Sequence, residues 1–181
     1  MLKALETHYG GWRFRSRMEA RWAVFMDALK IRWRYEPEGF ATEVGPYLPD
    51  FFAWGPADAR CKNWILEVKP GEPSEEEVWK LMGAVSVADD GNFFPTAATV
   101  RGCFLIGDPP GQTIRVVPKE CVTYENYVDY NHDLIKDWSK NNYYEGMLDL
   151  ELIVHLTPLC PNYSIQEAAR KARSYRFGEK R

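Results

Sequence analysis

Two short segments hold the residue types that do chemistry. In Leu48-Pro49-Asp50-Phe51-Phe52 a carboxylate stands inside an aromatic run, and in Leu66-Glu67-Val68-Lys69 a carboxylate and an amine stand two positions apart in an apolar run. A strand sends successive side chains to opposite faces, so Glu67 and Lys69 share one face while Trp64, Leu66 and Val68 share the other. Ionised groups in so apolar a strand need partners, because burying an uncompensated charge is strongly unfavourable. A divalent cation between Asp50 and Glu67 would supply that compensation. Hard carboxylate oxygens suit Mg2+ (or Mn2+), which uses one or two protein carboxylates and leaves its other positions to water and substrate phosphate. Beside such an ion, Lys69 would orient an attacking water or offset charge on a phosphorane. The chemistry that this set fits is scission of a phosphodiester.

The pattern around these segments predicts the elements that must hold them. Ser16-Arg17-Met18-Glu19 fits a capping box, and Met18, Trp22, Phe25, Met26 and Leu29 follow at helical spacing. Ile31 to Tyr35 alternates strictly and reads as a strand, stopped by Pro37 and Gly39. After a turn at Gly45-Pro46, Tyr47 to Trp54 reads as a second strand, and Trp64 to Lys69 as a third closed by Pro70-Gly71. Ser74-Glu75-Glu76-Glu77 is another capping box, opening a helix with Val78, Leu81, Met82 and Val85 on its apolar side and an end near Asp89-Asp90-Gly91. Cys103 to Gly107 is a short buried strand, and Thr113 to Val117 one more. This order predicts an α/β or mixed α+β fold. Residues 120–145 read as a loop-rich insertion with one short helix from Leu134 to Trp138. Ser164-Ile165-Gln166-Glu167 opens a basic helix from about Ile165 to Tyr175. The expected division is a core over 1–118 and an extension over 119–181 packed on it.

Composition sets the outer bounds. A chain of 181 residues with 45% hydrophobic and 27% charged residues is an ordinary globular protein of one domain with a small appendage. Its formal net charge of -3 excludes a wholly basic coat for nucleic acid. That average conceals a local +5 over residues 1–34, -6 over 35–119, -6 over 120–151 and +4 over 165–181. Cys61, Cys103, Cys121 and Cys160 are scattered, and His8, His132 and His155 lie at no zinc-ligand spacing from them. The cysteines therefore read as small buried hydrophobes in a reducing compartment. The first residues lack the apolar core of a signal peptide, and no run of ~18 apolar residues offers a membrane span, so no membrane partner is expected.

Pro49-Asp50, followed seventeen positions later by Glu67-Val68-Lys69, resembles the PD-(D/E)XK nuclease superfamily, whose fold is restriction-endonuclease-like. Members carry a helix with an acidic residue, a strand, the PD strand, the ExK strand, a crossing helix and a further strand, and the elements above follow that order over residues 12–107. The resemblance implies a central mixed sheet flanked by helices, with Asp50, Glu67 and the Val68 backbone carbonyl as metal ligands. It further implies Lys69 as the catalytic lysine, Glu19 as the helix acid, and hydrolysis leaving a 5′-phosphate. The basic tail from Ala168 to Glu179 is similar to endings of phage and prophage members, which implies a protein acting in the cytoplasm of a bacterial host.

Plainer readings stand beside these. Glu19 is also the fourth residue of a capping box and would reach back to a backbone amide. Glu67 and Lys69 also fit an exposed cross-strand pair, and Glu75, Glu76 and Glu77 fit first-turn carboxylates favoured by the helix dipole. Lys80 fits a solvated helix face. Arg13, Arg15 and Arg17 before and within the first helix, and Arg170 and Arg173 on one side of the last, are candidates for phosphate contacts with DNA. A protein partner or homo-oligomer stays open. The rival to a metal-dependent DNA nuclease is a non-catalytic nucleic-acid-binding or protein-interaction module that kept the fold.

Overall fold

A computed structural model describes residues 6–55, 63–89, 91, 93–95, 99–116 and 162–177. The first strands are β1 (Thr7–Tyr9) and β2 (Trp12–Phe14), an antiparallel hairpin turned at Gly10 and Gly11, whose φ values of 57° and 85° suit glycine. Helix α1 (Arg17–Ala28) follows, then β3 (Arg32–Tyr35), a small hairpin of β4 (Phe40–Thr42) and β5 (Gly45–Tyr47), β6 (Phe51–Trp54) and β7 (Asn63–Lys69). Helix α2 (Glu75–Asp89) leads to β8 (Val100–Ile106) and β9 (Gln112–Val116), and the last described helix is α3 (Asn162–Ser174). Five strands form one mixed sheet in the order β3-β6-β7-β8-β9, in which β7 and β8 are parallel and the other neighbours antiparallel. The fold is mixed α+β.

The pleat divides the sheet's residues between two cores. Phe51, Ala53, Trp64, Leu66, Val68, Cys103 and Leu105 pack with α1 and with Ile165, Ala168, Ala169 and Ala172 of α3. Tyr175 and Phe177, just past α3, meet the Tyr9 ring edge-on at 5.1 and 6.5 Å and tie the helix to β1. On the other face Phe52, Ile65, Phe104 and Ile106 pack with Leu81, Ala84, Val85 and Ala88 of α2. Gly102 makes that contact close, since a Cβ there would lie 2.9 Å from Val85. Gly83 likewise lets β4 settle on α2, where a Cβ would lie 2.9 Å from Thr42.

Several local expectations are refined. The segment before α1, for which no element was expected, is the β1–β2 hairpin. The single strand expected over residues 47–54 is two, because the chain leaves β5 at Tyr47 and enters β6 only at Phe51. The Gly45-Pro46 turn lies within β5, paired to β4. The terminal helix begins at Asn162, so Ser164 is inside it and is not its cap. The expected helix from Leu134 to Trp138 and the boundary at residues 118–119 lie outside the described residues. Among the described residues no helix is long and apolar enough to cross a membrane.

Candidate active site

Register brings the two motifs together. Phe51 pairs with Leu66 across β6 and β7, so one further step sets Asp50, just before β6, opposite Glu67. Both are on the α2 face by alternation with Phe52 and Ile65, and both are buried, at 2% and 8% exposure. The Val68 N–H donates to Asp50 Oδ2 at 2.7 Å, which sets the backbone of the third expected metal ligand, Val68, beside the Asp50 carboxylate. The Glu36 N–H donates to the Asp50 carbonyl at 2.9 Å and extends the β3–β6 ladder by one residue. Glu36 itself has φ 39°, a left-handed conformation costing roughly 1–2 kcal/mol for a residue with a Cβ.

Each carboxylate carries a cation. Lys69 Nζ lies 3.0 Å from Glu67 Oε1 and 2.6 Å from Glu77 Oε1. The Tyr47 hydroxyl donates to the other Glu67 oxygen, Oε2, at 2.9 Å. Arg15 forms an ion pair with Asp50 through Nη2 and with Glu36 through Nε, the latter at 2.8 Å.

Both flanking helices open with Ser-x-x-Glu caps that enter the site. At α1 the Glu19 N–H donates to Ser16 Oγ at 3.1 Å, while Glu19 Oε2 accepts from the Arg15 N–H at 3.1 Å and the Tyr35 hydroxyl at 2.6 Å. Glu19 thus caps the chain one residue before Ser16 and is near enough to Asp50 to raise its pKa. At α2 the Ser74 N–H and hydroxyl donate to Glu77 Oε2 at 2.8 and 3.0 Å, which leaves Oε1 for Lys69.

The titration behaviour follows from this crowding. Burial pushes the Asp50 carboxyl up to about 8, Glu67 and Glu19 add to the rise, and the Val68 amide and Arg15 oppose it. Burial and then Glu67 push the Tyr47 phenol well above its usual value. For Lys69 burial acts downward, but Glu77 and Glu67 outweigh it and hold the amine above its ordinary value. Burial likewise opposes the ionised Glu77, yet the Lys69 and Ser74 hydrogen bonds win and lower its pKa.

Asp50, Glu67, Glu19, Glu36 and Glu77 face only Arg15 and Lys69 as cations within this set of contacts. The surplus of oxygen donors at Asp50 and Glu67 is of the hard kind that a divalent cation takes. Among the described residues no group of three or more His, Cys, Asp or Glu side chains is arranged to hold a metal ion. A pair of carboxylates is what Mg2+ commonly takes from a protein.

The remaining sequence candidates lie elsewhere. Arg13 is exposed on β2 and pairs with Glu6 at 2.5 Å. Arg17 is exposed at the first turn of α1, and Arg170 and Arg173 are exposed on α3 opposite its buried alanines. Lys80 pairs with Glu76 at 2.6 Å, one helical turn away. Sequence spacing alone missed Tyr47, Glu36 and the reach of Glu77 into the site. The capping box marked Glu77 as a first-turn acid, but only the approach of α2 to β7 gives it Lys69. No family model, curated protein or solved structure matches the chain.

Proposed function

We propose that the chain is a metal-dependent nuclease that hydrolyses phosphodiester bonds of DNA. The observation that carries this reading is the placement of Asp50 opposite Glu67, buried on one sheet face, with the Lys69 amine 3.0 Å from Glu67. A restriction-endonuclease-like arrangement is supported by the mixed sheet, by Asp50 directly preceding β6, and by Glu67-Val68-Lys69 closing β7 before α2.

Asp50 and Glu67 would hold Mg2+ or Mn2+, which when bound supplies Lewis acidity toward a phosphoryl oxygen. The chain's own groups then have definite tasks. The Val68 amide fixes Asp50 Oδ2 and the Tyr47 hydroxyl fixes Glu67 Oε2, so neither carboxylate is free to rotate away. Lys69 stays charged between Glu67 and Glu77, which suits it to orient a water or to offset negative charge at the phosphorus. Arg15 balances Asp50 and, half-exposed, offers its guanidinium to a phosphate oxygen.

The test uses single-stranded, duplex and branched DNA with Mg2+, Mn2+ or EDTA, beside Asp50→Ala and Lys69→Ala. Cleavage that requires the metal and both residues is the expected result. Cleavage that persists in EDTA or in either variant overturns the reading. Salt-sensitive binding without any cleavage points to the non-catalytic module instead.

A further inference from the structure

The edge strand β3 alternates sharply between its two faces. Trp33 and Tyr35 turn to the α1 core, while Arg32 and Arg34 are exposed on the face that carries Asp50 and Glu67. Opposite them on β6 stand Trp54 and Phe52, in the pairs Arg32–Trp54 and Arg34–Phe52. The Arg34 guanidinium lies over the Trp54 ring at 6.0 Å from its centroid, and Arg32 Nη2 donates to the Gly55 carbonyl at 2.8 Å. Among the described residues neither has a carboxylate partner, whereas Arg13, Arg15, Arg21, Lys69 and Lys80 each pair with one. Charged residues on an edge strand also serve to block edge-to-edge association. That role needs no aromatic plate beneath the guanidinium and no particular direction. This row has both, since it runs along β3 to Glu36, whose amide is bonded to Asp50.

We propose that Arg32, Arg34 and Trp54 form a track for a single-stranded segment of DNA leading to the Asp50–Glu67 site, a reading that rests on the nuclease assignment. Two residues along a strand span about 6.8 Å, the order of the spacing between phosphates of an extended polynucleotide. Once Arg34 swings off the Trp54 ring, two guanidiniums at that interval contact successive phosphates and the uncovered indole stacks on an unpaired base, the combination by which proteins hold single strands without reading sequence. A flat ring on a sheet face has no comparable purchase on a base already stacked within a duplex. The track extends away from the site at the β3–β6 end, so it would bind the part of the strand beyond the scissile phosphate.

The experiment titrates the full chain with fluorescein-labelled oligo(dT) and with a blunt hairpin duplex, in EDTA and over a salt series. In the Arg32→Gln/Arg34→Gln double variant, oligo(dT) affinity is expected to fall ~10-fold or more and the salt slope to shrink by about 1.4, two phosphate contacts at ~0.7 each. Arg34→Lys, which keeps the charge and loses the planar stack, gives an intermediate loss. Lys80→Gln removes one positive charge, already held by Glu76, and leaves affinity unchanged. With Mg2+, the double variant raises KM on single-stranded substrate and leaves kcat in place. Unaltered affinity and slope in the double variant, with its circular dichroism matching the parent, overturn the track. An equal loss on the hairpin duplex overturns its single-strand assignment. Failure of the nuclease reading is registered separately, as absence of cleavage by the unsubstituted chain.

Discussion

The two faces of the five-stranded sheet share strands and differ in what they do with them. On the α1 and α3 face, β7 stays apolar to its last residues, with Trp64 and Leu66 at 1% exposure and Val68 at 9%. The Trp22 indole N–H closes that face by donating to the Gly107 carbonyl at 2.9 Å. On the α2 face the same strand is apolar at Ile65 and then ionised at Glu67 and Lys69. At the changeover Glu77, from the first turn of α2, reaches Lys69, and Glu19, from the first turn of α1, is near enough to Asp50 to raise its pKa. One face is built to exclude water and hold the fold. The other gives up burial at its end for a crowd of carboxylates whose mutual repulsion is relieved only in part by Arg15 and Lys69. The pleat lets one heptapeptide serve both purposes without mixing them.

That division is broken most severely on its polar side. Asp50→Asn is expected to lower single-turnover cleavage by on the order of 10³-fold, with a urea midpoint no lower than the parent's. A matching loss of stability would show that the charges hold the fold and would erase the distinction. On the apolar side, Leu66→Ala, whose side chain lies one residue from Glu67 on the opposite face, is expected to cost about 3 kcal/mol in urea unfolding. The specific activity of its folded fraction should stay near that of the parent.

The pH dependence of stability sharpens the contrast. Asp50 holds its proton more tightly in the folded chain than unfolded, with a folded pKa of about 8 set chiefly by burial. Its stabilising contribution is therefore full below the unfolded value near 3.8 and is lost as pH rises toward about 8. Urea titrations in EDTA should show this decline, and Asp50→Asn should flatten it. For the same reason, calorimetric Mg2+ affinity should rise with pH across that window, with proton release. The smallest expected effect lies at the far end of α1, where Lys30 sits at φ 58° and the Ile31 N–H donates to the Met26 carbonyl at 2.9 Å in a glycine-type helix stop. Lys30→Gly is expected to raise the thermal midpoint through a gain of up to ~1 kcal/mol, without touching cleavage.

The long elements were legible from local pattern. Ser16 and the stripe from Met18 to Leu29 marked α1, Ser74-x-x-Glu77 marked α2, and alternation from Trp64 to Lys69 marked β7. The two small hairpins were not, because strands of three residues are too short to display a period, and Gly10-Gly11 and Gly45 resemble any turn. Asp50, Glu67 and Lys69 stood out as polar groups in apolar surroundings. Tyr47 and Glu36 stood out in no such way, since a tyrosine or glutamate near a turn is ordinary until its neighbours are known.

The sequence by itself determined which residues share a strand face, because the two-residue period is a local property of the extended chain. It also set the surplus of carboxylate over amine around the two motifs. Only the tertiary structure decided that Asp50 stands opposite Glu67, that Lys69 is divided between Glu67 and Glu77, and that Arg15 reaches Asp50 across 35 positions of chain. Those are matters of register and helix docking. They are settled by long-range packing of both cores, and no spacing within one segment encodes them.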